Sequence, residues 1–205
     1  MNLDEIKKYF QDKVLEHGPT AEGMDWKDAA TQYLRFEMIA KYIDFSSCPS
    51  ILDVGCGGGE FLAFCEKKGH RCEYSGIDVV PEMVGFTNQR FGRDVAFQSD
   101  LESVPDSHKY DYVIASGTYN AKLTQDESSW RVFFYDNVAR MYALSNKGAI
   151  FNCMTEHVEW RYDRLYYPTL SDLSAFITKS LTRDFIFDHS YPLFEMTVFI
   201  PKNNG

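Results

Sequence analysis

The chain is short of positive charge: its 205 residues include 21 lysines and arginines against 30 aspartates and glutamates, a formal net charge of -9. Nucleic-acid binding draws most of its affinity from cationic side chains, so a phosphate-tracking surface is disfavoured. Long apolar runs are also missing. No stretch approaches the roughly 18 residues of a membrane span, and the opening "MNLDEIKKYFQDKV" is amphipathic where a signal peptide needs an apolar segment. The five cysteines, Cys48, Cys56, Cys65, Cys72 and Cys153, are odd in number and include no C-x-x-C pair. Neither a disulfide framework nor a metal site is therefore expected. Internal repeats and low-complexity tracts are absent too. These absences predict a cytoplasmic protein with reduced thiols that meets a small molecule, not nucleic acid and not a membrane; they say nothing about oligomeric state.

What is present suffices for one sizeable core, with 44% hydrophobic and 16% aromatic residues. From Ile51 onward, short apolar runs alternate with helical periodicity. "SILDV" reads as a buried strand, Glu60 to Lys68 as a helix stopped by Gly69, "CEYSGID" as a strand and "PEMVGFTNQRF" as a helix opened by Pro81. "RDVAFQSD" and "YDYVIASG" read as strands, "DESSWRVFFYDNVARMYALSN" as a helix with an Asn-Lys-Gly stop, "AIFNCM" as a strand and "TLSDLSAFITKSL" as a capped helix. Such alternation predicts an α/β fold with a mostly parallel, doubly wound sheet. The last two runs, "RDFIFDHS" and "LFEMTVFIP", are separated only by a short turn and so predict an antiparallel pair at the sheet edge. Residues 1–45 read as a helical leader broken at "EHGPTAEGMDW", and residues 46–205 as the α/β domain.

The stretch "SILDVGCGGGEFLAF" places a glycine-rich turn between strand and helix, and Asp78 closes the next strand. That combination makes a nucleotide-cofactor crevice. The dinucleotide pattern G-x-G-x-x-G, counted from Gly55, needs glycine at position 60, where the chain has Glu60. An anionic pyrophosphate favours a helix N-terminus without a nearby carboxylate. The cationic S-adenosylmethionine tolerates an acid at Asp53, which can hold its positive part directly or through water. Asp78 can accept both ribose hydroxyls of either cofactor.

"LDVGCGGG", "GIDVVPEM", "QSDL" and "YDYVIASGTYN" together resemble, in order and spacing, the cofactor motifs of class I S-adenosylmethionine-dependent methyltransferases. The resemblance covers roughly residues 50–200 and implies a Rossmann-like sheet of about seven strands with an antiparallel final strand. "EHGPTAEGMDWKDAATQYLRFEMI" is similar to the leader of small bacterial members, which implies a helical lid.

The resemblance implies that Gly55, Gly57 and Gly59 let the backbone approach the cofactor, the alternative being a tight turn without a ligand. Asp78 is the expected ribose acceptor, and helix capping is compatible with that role. Val79 and Met83 would flank the adenine, or fill the core. Asp100 would accept from the adenine amino group, with Leu101 offering its amide; a solvated loop acid is the alternative. Ser116 and Gly117 would line the methionine moiety. In the leader, Gln32 and Arg35 share one helical face, and Arg35 binds either the cofactor carboxylate or an acid such as Glu37, with Trp26 as lid partner.

Methyl transfer needs a base only when the acceptor arrives protonated. Tyr119 and Asn120 follow the fourth strand toward the expected acceptor space, in the position of the Asn/Asp-Pro-Pro-Tyr motif of amino methyltransferases; the departure from that motif argues against a nucleobase. His17 and His157 are the candidate bases, with solvated histidines as the alternative. "HVEWRYDRLYYPTLSDL" either shapes an acceptor pocket, with Tyr166, Tyr167, Arg161 and Arg164 receiving a sugar or an anion, or anchors a loop through its tyrosines. The expected activity is O-methylation of a sugar or surface-glycan precursor. The rivals are N-methylation of a small amine, a silent cofactor-binding protein and an NAD-dependent oxidoreductase.

Overall fold

The computed structural model describes residues 3–18, 20, 23 and 28–202. Among them one sheet forms from β1 (Ser50–Val54), β2 (Glu73–Asp78), β3 (Ala96–Gln98), β4 (Tyr110–Ala115), β5 (Ser145–Met154), β6 (Ile186–Asp188) and β7 (Glu195–Pro201). Its order is β3-β2-β1-β4-β5-β7-β6. β1 pairs in parallel with both β2 and β4, so strand order reverses on either side of it. This switch point leaves a crevice at the carboxyl ends of the central strands. β7 runs antiparallel to β5 and β6, as the short turn between the last two runs requires.

Alternation along β1 divides the core. Leu52 and Val54 point into a cluster with Trp130, Phe134 and Val138 of α5 (Glu127–Leu144) and with Leu173 and Ile177 of α6 (Leu170–Ser180). Ile51 points to the other face, against Phe36 and Ile39 of α2 (Ala29–Ala40) and Phe61 and Phe64 of α3 (Glu60–Lys68). α4 (Pro81–Phe91) begins with its proline at the first helical turn, where no backbone donor is lost.

Two boundaries differ from the periodicity. "Asn-Lys-Gly" does not follow a helix end as a loop: α5 stops at Leu144 and β5 begins at Ser145. Pairing with β7 claims this backbone, and Gly148 sits opposite Pro201, where an added Cβ would lie 2.6 Å from Phe199. The strands expected in "RDVAFQSD" and "RDFIFDHS" shrink to three residues each because both lie at sheet edges with one neighbour.

The leader contributes two differently seated helices. α2 is capped by Asp28, whose carboxylate accepts from Thr31 N at 2.7 Å, and packs into the α3 side of the core. α1 (Leu3–His17) instead crosses the carboxyl edge of the sheet. Glu5 accepts from Thr124 Oγ1 at 2.5 Å and from Gln125, Gln11 Nε2 donates to Glu82 at 2.5 Å, and Val14 packs on Val80 and Met83. Among the described residues no helix is long and apolar enough to cross a membrane.

Candidate active site

The turn after β1 is shaped by backbone bonds that only flexible residues allow. Gly55 N and Cys56 N both donate to Ile77 O, at 2.8 and 3.1 Å, and so tie the ends of β1 and β2 together. Gly55 and Gly57 adopt φ of +69° and +54°, the left-handed region that glycine enters without a Cβ penalty. Thr118 reinforces the turn by donating to Val54 O at 2.7 Å, and its side chain occupies the place where a Cβ on Gly55 would stand.

Two buried carboxylates face this turn. Asp78 ends β2, and its oxygens accept from Gly57 N and Val80 N, each at 2.9 Å. Burial raises its pKa, while the backbone donors pull the other way. Asp53 lies opposite Gly76 in the β1–β2 register, and its Oδ2 accepts from Tyr74 Oη at 2.8 Å. Burial pushes its pKa up to about 7; Tyr74 opposes that rise and the nearby Asp78 adds to it.

Both acids line one cavity of about 470 Å³, a volume in the range of small-molecule and cofactor sites. Gly55 and Gly57 form its floor, with Ser116, Gly117 and Thr118 at the end of β4. Val79, Met83 and Leu101 give one end apolar walls, beside Asp100, whose carboxylate accepts from Ser103 N at 2.8 Å. Gln32 and Phe36 of α2 close a second side, and Leu3, Ile6 and Phe10 of α1 form the roof. A cavity that combines buried carboxylates with an apolar slot between Val79, Met83 and Leu101 suits a cationic amino acid joined to a nucleoside.

Sequence comparison decides the family. A methyltransferase-domain family matches residues 51–142. "Putative methyltransferase Rv1506c" of Mycobacterium tuberculosis is 31% identical over 156 residues, covering 75% of this chain and 93% of that protein. The chain belongs to the class I S-adenosylmethionine-dependent methyltransferases. Solved structures agree in fold. The 1,6-didemethyltoxoflavin-N1-methyltransferase of Burkholderia thailandensis superposes with a TM-score of 0.65 at 18% identity, over 100% of this chain and 92% of that one. The magnesium protoporphyrin IX methyltransferase of Synechocystis PCC 6803, solved with bound cofactor, gives 0.61 at 15% identity, over 84% and 80%.

The methyltransferase does not gather every residue singled out from its sequence. Gly59 caps α3 outside the cavity wall; its φ of +74° and close approach to Phe91 and Thr87, 2.8 Å from an added Cβ, make it a packing position. Arg35 also lies outside the wall. Its Nε and Nη2 donate to Glu195 at 2.8 and 2.5 Å, both partners buried, which ties α2 to the start of β7. Trp26 falls outside the described residues.

Of the four residues expected near the acceptor, only Tyr119 lines the cavity. Its hydroxyl turns toward Asn137 Oδ1 at 3.4 Å, and burial drives its pKa far up. Asn120 is a fastener: its side chain accepts from Met154 N at 3.2 Å and its carbonyl from Tyr166 N at 2.8 Å. His17, at the end of α1, lies 3.6 Å from Glu16, and His157 is exposed on the loop after β5; neither lines the cavity. Tyr166 and Tyr167 are buried and anchor that loop, leaving Arg161 and Arg164 at the surface.

Several wall residues escaped sequence reasoning. Trp130, Phe133 and Asn137 stand on one face of α5. Polar Asp136, Asn137 and Arg140 continuing the line of Trp130 and Phe133, all of which border the cavity, are the signal that could have found them. Thr118 follows two expected residues directly and needed only the next step along the loop.

Proposed function

We propose that this methyltransferase transfers the methyl group to a hydroxyl oxygen of a small acceptor, a sugar or surface-glycan precursor, in the cytoplasm. The observation that carries the cofactor assignment is Asp78, a buried carboxylate in the cavity wall oriented by two backbone amides. Its oxygens accept from Gly57 N and Val80 N, and a carboxylate held this way can also accept from ribose hydroxyls. Asp53 holds the cationic amino-acid part, with Ser116, Gly117 and Gln32 around it. Val79 and Met83 flank the adenine, and Asp100 and Leu101 meet its polar edge. Bound S-adenosylmethionine supplies a methyl group already activated on a sulfonium.

The residues of this chain contribute proximity and orientation, since an in-line displacement gains most from alignment. α1 acts as the lid, keeping water from the reacting atoms through Ile6 and Phe10. Tyr119 retains its proton, because burial opposes the phenolate, and so shapes the wall and does not act as a base.

Support for a sugar acceptor comes from a smaller recess of about 70 Å³ beside β5, bounded by Met154, Trp160, Tyr162, Tyr167 and Phe194. Trp160, Tyr162 and Phe194 each leave more than half of their surface exposed around this one recess, and a contiguous exposed apolar patch is the kind that marks a ligand groove. Asn120 joins this recess to the end of β4 through Met154 and Tyr166. The test is methyl transfer to a panel of sugar nucleotides and amines, read as S-adenosylhomocysteine release. Turnover of a sugar acceptor is expected, with Trp160→Ala raising its KM about three- to tenfold and leaving cofactor affinity unchanged. Turnover of amines alone, or a KM indifferent to Trp160→Ala, would remove the sugar assignment.

A further inference from the structure

Asp53 sits in a wall built to deliver one particular donor to it. Tyr74 lies on the same strand face as Gly76, the residue paired with Asp53 across β1 and β2. Its phenol crosses Gly76 to reach Asp53. A Cβ on Gly76 would stand 2.7 Å from Cys56 Sγ and 3.1 Å from Tyr74 Oη, so a side chain there would collide with Cys56 and crowd the hydroxyl. Among the described residues this is the one hydrogen bond made to the Asp53 carboxylate. Tyr74 itself is buried and away from the cavity lining, so it touches no ligand.

We infer that Tyr74 is a positioning residue for cofactor binding: across the gap left by Gly76, its hydroxyl orients Asp53 and keeps it ionised toward the cofactor's positive charge. The inference rests on the reading of Asp53 given above. A buried carboxylate without a donor takes up a proton, and a neutral acid has little attraction for a cation. The groups acting on Asp53 from around it do not supply a counter-charge. Asp78 repels it, and the thiols of Cys56, Cys65 and Cys72 bear on it as acids. Gln32 and Glu60, from α2 and α3, line the same cavity without donating to it. Burial pushes the Cys56 thiol and the Tyr74 phenol up, so both keep their protons at neutral pH.

The sign of the pH effect follows. Asp53 attracts the cofactor when ionised, so affinity declines as pH falls through its pKa, pushed up to about 7 in the free protein; the cofactor's own α-amino group, which loses its proton at about pH 8, sets a separate alkaline limb. Losing the Tyr74 donor raises that pKa and moves the decline upward.

The test is S-adenosylmethionine affinity by calorimetry between pH 5.5 and 9, in buffers of different ionisation heat so that proton release is read as well. Tyr74→Phe is expected to shift the midpoint of the affinity profile upward by about one pH unit. At pH 7 it should lower affinity several-fold and increase proton release. Should Tyr74→Phe fold poorly, 3-fluorotyrosine incorporated in place of Tyr74 preserves shape with a more acidic hydroxyl and is expected to move the midpoint downward. Asp53→Asn should flatten the acid limb of the profile and abolish the proton release tied to it. If Asp53→Asn flattens it but both changes at position 74 leave the midpoint in place, the role of Tyr74 is overturned. An unchanged affinity and profile in Asp53→Asn would overturn both the inference and the assignment of Asp53 beneath it.

Discussion

Replacing Asp78 by asparagine is expected to weaken S-adenosylmethionine binding by about a hundredfold or more. The carboxylate offers about four lone-pair sites, some of them taken by backbone amides, Gly57 N and Val80 N among them. A charged acceptor gains about 1.5–3 kcal/mol from each hydrogen bond, and a ribose presents two hydroxyls to the remaining sites. Losing both contacts removes roughly 3–6 kcal/mol, which is two orders of magnitude or more in affinity. An amide is nearly the same size but is neutral and carries only one acceptor oxygen, so its NH₂ either confronts a backbone N–H or replaces a charge-assisted acceptor at the ribose with a neutral donor. The melting temperature of the ligand-free protein should move far less than affinity does, since the turn keeps its bonds to Ile77. Calorimetric titration of parent and variant at one pH decides the matter; an affinity within threefold of the parent would take Asp78 out of the site.

Arg35→Ala is expected to act on stability first. Glu195 begins β7 and Arg35 lies on α2; both are buried, and two hydrogen bonds link them. Removing one member of a buried pair strands the other charge in a poorly solvated place, at a cost of about 3–5 kcal/mol. For a domain of this size that corresponds to a fall in melting temperature of about 10 °C. Cofactor affinity of the protein that remains folded should stay within a few-fold of the parent, because α2 reaches the cavity through Gln32 and Phe36. The double variant Arg35→Met, Glu195→Leu should recover most of the lost stability by leaving no charge behind. A large loss of affinity with little loss of stability would instead return Arg35 to the cofactor.

The contrast between these residues shows what a sequence displays and what it conceals. Asp78 was legible because the signal is local: a short apolar strand ends in an acid, and a glycine turn precedes it on the neighbouring strand. β1, α3 and α4 were legible for the same reason, with periodicity, a proline start and glycine stops all within a dozen residues. Arg35 was not, because its partner stands 160 residues away and nothing in the helix pattern points to β7. Similarly, "Asn-Lys-Gly" has the composition of a stop, yet pairing with a later strand extends β5 through it. Tyr166 carries the same letter whether it faces a substrate or the core, and only packing assigns it to the core. α1 shows the intermediate case. Its amphipathic stripe is visible in the sequence, whereas the surface it covers, Val80 and Met83, is set by the fold.

One measurement bears most directly on the cofactor site: the melting temperature of the purified protein with S-adenosylhomocysteine and, separately, with NAD. A ligand that binds only the folded state raises the melting temperature with the logarithm of its concentration over Kd, by about 2.7 kcal/mol of added stability at a hundred times its Kd. S-adenosylhomocysteine should raise it in the parent protein and fail to do so in Asp78→Asn at the same concentration, while NAD leaves both unchanged. A rise with NAD and none with S-adenosylhomocysteine would contradict the assignment of the cavity.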